Sequence, residues 1–399
     1  MQMFFQLLDN KMDCAGTYLD GQFIWDRIPE GITKTWSYSD HLFGKDIDYA
    51  SLLVGGKSID DVCPEFLKDR WEYVSEMMKA HFKGCMTAKI NLEDVCFYDI
   101  IPQKHLRHYF DTKNEITRWV FDNHEPPAHY SLLKSAQGAL KELKKHPINL
   151  NSFGVYCTAA DDLKAKHLYD QFGETTPYVD YDLFGTVTGR LTTKRGSFPM
   201  LNLKKELKVH VRPTNDVFLE LDFNAAEIRT MLALQGHEQP EEDIHEWNIK
   251  NVFEKEMSRD KAKTKIFAWL YNQKSNAIKS DYYNRESLLE RYYSEGEEMV
   301  RTPFGRTIGA PPSKGLNYLL QSSSSDNTLE RFVRISNFLR ATRSHVAAVV
   351  HDSVVIDLHR DDRRLIPQLK EIFENTRLGQ FKVNCSLGKN LGDMKEFKW

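Results

Sequence analysis

Near-continuous apolar runs mark the strands of this chain. Val217-Phe-Leu-Glu-Leu221 is one, and Val346 to Asp357 holds two more, parted only by the polar turn His351-Asp352-Ser353. Runs rich in β-branched and aromatic residues read as strands buried on both faces, central in a sheet. A further strand is expected over 179–187, and a short β-like piece at Gly21–Trp25. Elsewhere the period is helical. One helix is expected from Glu65 to Phe82. A second runs from Gln103 to Asn123, with Leu106, Tyr109, Phe110, Ile116, Val120 and Phe121 as its apolar stripe. Pro126-Pro127 breaks that pattern, and an amphipathic segment from Tyr130 to Lys145 follows, ended by His146-Pro147. Two helices joined by such a turn read as an antiparallel pair. Helices dominate between Ala225 and Met299 and recur at 330–342 and 364–373. The class is α+β, a sheet interrupted by a helical insertion.

A chain of 399 residues has room for two or three domains. Apolar residues at 41%, charged residues at 28% and a net charge of −3 describe an ordinary globular protein, not a polyanion binder over its whole surface. Basic residues do cluster locally, at Lys194-Arg195, at Lys204-Lys205 with Lys208, and at Lys261, Lys263 and Lys265. Most such clusters are solvated faces. The six cysteines have no metal-ligand spacing, which points to free thiols in a reducing compartment. No apolar run is long enough to span a membrane, and the N-terminus lacks the basic flank of a signal peptide. A cytoplasmic protein without membrane partners is expected.

Two aspartates carry the candidate chemistry. Asp222 ends a strand that passes directly into a helical segment, and Asp352 sits at a hairpin tip. Either alone reads as a cap or turn residue. Together, at the ends of buried strands, they bring negative charge beside a core and call for a compensating cation. Mg²⁺ fits, because it takes one or two carboxylates and leaves room for substrate phosphates. Between them, Arg259, Lys263, Phe267 and Tyr271 recur every fourth residue. Each step turns about 40° around a helix, so Arg259, Lys263 and Phe267 spread over roughly 80° of one face, where a polyphosphate can lie along Arg259 and Lys263 and Phe267 contacts the sugar or base.

These segments resemble the A-family DNA polymerases. Asp222-Phe-Asn-Ala-Ala-Glu-Ile-Arg229 is similar to motif A (Asp-Tyr-Ser-Gln-Ile-Glu-Leu-Arg), and Arg259 to Tyr271 to motif B (Arg-x3-Lys-x3-Phe-x3-Tyr). His351-Asp352-Ser353 is similar to motif C (His-Asp-Glu). Thr188-Gly-Arg-Leu191, Asp243-Ile-His245, Thr302-Pro-Phe-Gly-Arg306, Asn317-Tyr-Leu-Leu-Gln321 and the ending from Leu387 agree in order, over residues 155–399. The resemblance, closest to compact phage enzymes, implies a right-hand fold: an antiparallel-sheet palm with helical fingers and thumb. It implies template-directed addition of dNTPs to a primer 3′ end, in a bacterial host cytoplasm if the source is a phage. Asp222, Asp352 and the Phe223 carbonyl would hold two Mg²⁺ ions. Lys263, Arg259 and His245 would bind the triphosphate, with Lys263 protonating the leaving group. Glu227 would be the steric gate against ribose; Phe267 would pack on the sugar and Tyr271 would stack near the template. Arg190, Asn317, Gln321, His351 and Arg306 would contact primer–template DNA.

Three departures stand out. Ser353 replaces the motif C glutamate, Asn272 replaces the glycine that usually follows Tyr271, and the stretch before residue 150 lacks a recognisable proofreading exonuclease. The expected layout is 1–95 of unknown role, a remnant exonuclease being one reading, then a thumb-like hairpin at 96–150. Palm follows at 151–229, fingers at 230–310, and palm again at 311–399. A companion exonuclease chain or a processivity partner is left open. The rivals are a single-subunit RNA polymerase, disfavoured by Glu227 and Phe267, and a non-catalytic nucleic-acid-binding subunit, disfavoured by Asp222, Asp352 and Lys263.

Overall fold

The computed structural model describes residues 3–397 apart from 11, 12, 26, 93, 254, 255, 273, 274, 276 and 279. The chain forms two compact units, Met1–Gly138 and Ala139–Trp399.

In the first unit β1 (Phe5–Asn10), β2 (Asp13–Leu19) and β3 (Gln22–Trp25) form an antiparallel meander. Helix α1 (Glu65–Thr87) starts after Pro64, and α2 (Gln103–Asn123) after Pro102. Leu106 and Phe110 of α2 share a core with Leu8 and Tyr18 of the sheet. Ile116 and Val120, two to three turns on, pack with Leu67, Trp71 and Val74 of α1. Polar ties add direction: Gln6 Nε2 donates to Asn114 Oδ1 (2.9 Å) and Thr117 Oγ1 (3.1 Å), and Tyr18 Oη donates to Asp111. The expected stripe of α2 is therefore buried, but chiefly against α1 rather than against α3 (Tyr130–Lys144), the helix after the Pro-Pro break. The expected antiparallel pair is corrected accordingly. The same core joins the segments expected as 1–95 and as the start of a separate hairpin.

The second unit is built on a five-stranded antiparallel sheet. Its strands are β4 (Val217–Phe223), β5 (His345–Val350), β6 (Ser353–Leu358), β7 (Val383–Gly388) and β8 (Lys395–Glu396), in the order β5-β6-β4-β7-β8. The apolar run of β4 lies in the middle and β6 is wholly buried, as the pattern predicts. β5 is an edge strand instead. Its apolar run is covered by Tyr181, whose hydroxyl donates to Val349 O (2.8 Å) and accepts from Val349 N (3.1 Å). The strand expected at 179–187 reduces to the pair Tyr181–Asp182 against Thr192–Thr193, since Asp182 turns the chain by accepting from Phe184 N.

Alternation along β4 sorts its side chains to two faces. Phe223 stacks on Phe373 of helix α8 (Ile366–Glu374), while Glu220 and Asp222 take the opposite face. Between β4 and β5 the chain forms α4 (Ala226–Leu234), α5 (Ile244–Asn248), α6 (Arg259–Tyr271) and α7 (Gly315–Leu339). The helix expected at 330–342 is thus the second half of a 25-residue helix. Its first half carries Ser322 to Ser325, buried polar residues that blur the apolar period. All six cysteines are free, and among the described residues no helix is long and apolar enough to cross a membrane.

Candidate active site

Asp222 lies at the end of β4, directly opposite Ser353 on β6 and Asn384 on β7. Asp352 lies in the two-residue tip joining β5 to β6, where Phe223 N reaches its carbonyl at 3.4 Å. The tip closes because His351, exposed, adopts a left-handed backbone (φ 54°). Ser324 Oγ of α7 donates to Asp352 Oδ1 (3.2 Å) and orients it. The two carboxylates therefore share one end of the sheet. Burial, followed by repulsion from Glu220 and Asp352, pushes the Asp222 carboxyl up to about 7; Lys263 acts in the opposite sense. Excess negative charge of this kind is what a divalent cation relieves. Among the described residues no three acidic, His or Cys side chains converge to cage an ion unaided.

A left-handed Ala225 (φ 52°) turns the chain from β4 into α4. This places Glu227 in the first turn and buries Arg229 completely. Arg229 donates to Asn224 O and Asn224 Oδ1, Pro240 O and Glu242 O, locking the start of α4 to the segment before α5. Asn224 Nδ2 in turn donates to Asp243 Oδ2 (2.8 Å), and Asp243 caps α5 by accepting from His245 N and Glu246 N. Arg259 Nη2 also donates to Asp243 Oδ2 (2.7 Å). Burial would raise the Asp243 carboxyl, but Arg259, Asn224 and the Glu246 amide hold it well below the usual range. Asn224 and Asp243 thus connect the Asp222 strand to the cationic helix.

Ser258 caps α6, and Arg259, Lys263, Phe267 and Tyr271 follow along it. Arg259, Lys263 and Tyr271 are exposed, and the Phe267 and Tyr271 rings stack at 6.0 Å and 14°. The helix ends at Tyr271, with Asn272 extended. His245 is buried beside Phe267 with Nδ1 unpartnered; burial, with Arg259 and Lys263, pushes it down to about 4, so it is neutral at pH 7. Tyr271 Oη and Arg190 both donate to the buried Glu227 carboxylate. Burial raises Glu227, against the pull of those two donors. Gln321, on α7 one turn after Asn317, bonds the Tyr271 hydroxyl. Arg190, Glu227, Tyr271 and Gln321 therefore form one polar group.

Arg306 does not belong to that surface. It is buried, and its Nε and Nη2 grip Asp326 at 2.6–3.2 Å. Gly189 (φ 75°) lies against it, and a Cβ there would sit 2.5 Å from the guanidinium. Arg306, expected to contact DNA, is thus held inside the fold by Asp326. Two of the basic clusters likewise have internal partners, Lys194 on Asp180 and Lys204 on Asp162. Sequence reasoning missed Glu220, which shares the face of Asp222 two residues earlier, a spacing that could have revealed it.

No protein-family model matches the chain. A DNA polymerase of Bacillus phage SP01 is 22% identical over 58% of this chain, and the chain spans about a third of that protein (34%). Among solved structures, the POL domain of Pol1 from M. smegmatis, in complex with DNA primer-template and dNTP, superposes with a TM-score of 0.67. That match covers 98% of this chain and 96% of the other, at 11% identity. The chain has the α+β fold of a DNA polymerase's polymerase domain.

Proposed function

We propose that this chain is a template-directed DNA polymerase, a nucleotidyltransferase that adds dNTPs to a primer 3′ end on primer–template DNA. The observation that carries the reading is the meeting of Asp222 and Asp352 at one sheet end, their excess charge opposed by Lys263. The phage relative and the polymerase-domain fold support it.

In this reading Asp222, Asp352 and the Phe223 carbonyl hold two Mg²⁺ ions, which supply acidity to the primer hydroxyl and charge neutralisation to the pyrophosphate. The protein's own groups position the rest. Lys263 and Arg259 bind the triphosphate, Arg259 remaining oriented by Asp243. Lys263 is the proton donor to the leaving group, and neutral His245 contributes an N–H rather than a charge. Glu227 fills the space of a ribose 2′-hydroxyl, Phe267 packs on the sugar, and Tyr271 closes the pocket toward the template base. Arg190, Asn317 and Gln321 read minor-groove acceptors, which every correct pair presents alike; His351 contacts the primer terminus. Residues 151–229 and 311–399 serve as palm, 230–310 as fingers and the helices within 96–150 as thumb. The site of action is the cytoplasm.

Primer extension with dNTPs or rNTPs, with and without Mg²⁺, tests this reading. Extension with dNTPs and Mg²⁺ alone is expected. Preference for rNTPs would favour the RNA polymerase rival, and no extension under any condition the binding subunit.

A further inference from the structure

Glu220 has no role in the reaction as proposed, yet it is placed to act at the site. It lies two residues before Asp222 on the same face of β4, and across the ladder Ser353 stands opposite Asp222. The Ser353 hydroxyl lies 3.1 Å from Glu220 Oε1 and 3.0 Å from Val350 O. One proton serves only one acceptor at a time. Ser353 is buried, and Glu220 is half-buried. Among the described residues no ion pair to a Lys, Arg or His is formed by Glu220, although its charge acts on Asp222. Glu220 thus brings a further carboxylate to the face that carries Asp222, where a cation from outside the chain would meet it.

We propose that Glu220 is a positioning residue of the metal site: held by Ser353, its carboxylate orients the water shell of the ions bound by Asp222 and Asp352. It thereby takes, from β4, the part an acidic side chain at position 353 would play from β6. This rests on the polymerase reading. Outer-shell carboxylates of this kind typically change metal affinity 10–100-fold.

The test compares wild type with Glu220→Gln, Ser353→Ala and the exchange Glu220→Ser/Ser353→Glu. Mn²⁺ binding is followed by electron paramagnetic resonance, and the Mg²⁺ dependence of single-turnover extension is measured in parallel. Glu220→Gln is expected to weaken Mn²⁺ binding and raise the half-saturating Mg²⁺ by roughly tenfold or more. Ser353→Ala should move both in the same direction by less, which keeps the test open if Glu220→Gln misfolds. The exchange variant should recover to within about threefold of wild type, since the charge returns by the other strand. Unchanged Mn²⁺ binding in Glu220→Gln, or a loss that the exchange fails to recover, overturns the proposal. The polymerase reading fails separately: wild type would extend no primer even though its Mn²⁺ binding depended on Glu220.

Discussion

Tyr271 Oη donates to the buried Glu227 carboxylate, joining the last residue of α6 to the first turn of α4. Arg190 holds the same carboxylate from the other side. Glu227 is therefore fixed by two donors rather than left to swing, as a steric gate requires. Glu227→Ala is expected to raise the ratio of ribonucleotide to deoxyribonucleotide incorporation by roughly tenfold or more, because it opens the space for a 2′-hydroxyl. Tyr271→Phe, which frees the gate without removing it, should shift the ratio less. Competition assays with paired dNTP and rNTP would measure both. An unchanged ratio in Glu227→Ala would remove the gate from the reading.

The Arg306–Asp326 pair makes a prediction about stability instead of DNA contact. Both groups are almost wholly inside the protein, with side-chain exposures of 8% and 0%. Removing one partner strands the other's charge, at a cost of about 3–5 kcal/mol. Arg306→Ala and Asp326→Ala should each lower the unfolding free energy, read from urea denaturation, by about that amount. The Arg306→Ala protein that remains folded should bind primer–template as wild type does. A loss of affinity with full stability would restore Arg306 to the DNA surface.

The runs ending in Asp222 and flanking Asp352 were legible because a buried strand has a simple signature, and four-residue spacing brought out the face of α6. Other features were hidden for physical reasons. Buried Ser322 to Ser325 erased the apolar period over the first half of α7. An edge strand covered by Tyr181 looks, in one dimension, like a central one. Arg306 reads as a surface cation until its partner, twenty residues on, is seen. Pairing across strands, as of Ser353 with Glu220 more than a hundred residues away, leaves no local trace at all.

Stability should fall with acid through a histidine pair distant in sequence. The His345 ring stacks on His146 with centroids 3.8 Å apart and planes 15° apart. Burial, then the neighbouring His146, pushes His345 down to about 4, although Asp357 Oδ2 lies 3.8 Å away. Burial lowers His146 as well, and raises Asp357 against the amides of Thr214 and Asn215. For His345 the unfolded chain binds a proton near pH 6.5 and the folded one only near 4. The contribution is thus complete above 6.5 and is lost as pH falls toward 4, by up to about 3 kcal/mol. Chemical denaturation from pH 8 to 4.5 should show this slope, and His345→Phe should flatten it. Equal slopes in the two proteins would exclude the pair as the source.

The last prediction sets catalysis against stability at Asp222. Burial and the charges of Glu220 and Asp352 oppose ionisation of this carboxyl. In the absence of metal it therefore burdens the fold at neutral and higher pH. Asp222→Asn keeps the shape and removes the charge, so the metal-free variant should melt several degrees above wild type at pH 8. Mg²⁺ should then raise the melting temperature of wild type, because the ion binds only the folded protein. The variant, short of one ligand, should respond much less. Single-turnover incorporation should meanwhile fall by at least about a thousandfold in Asp222→Asn and in Asp352→Ala. Primer–template affinity should hold within severalfold, since contacts to the DNA phosphates supply most of it. The outcome that would sink the assignment is a variant no more stable than wild type, equally responsive to Mg²⁺, and still incorporating nucleotides at a comparable rate.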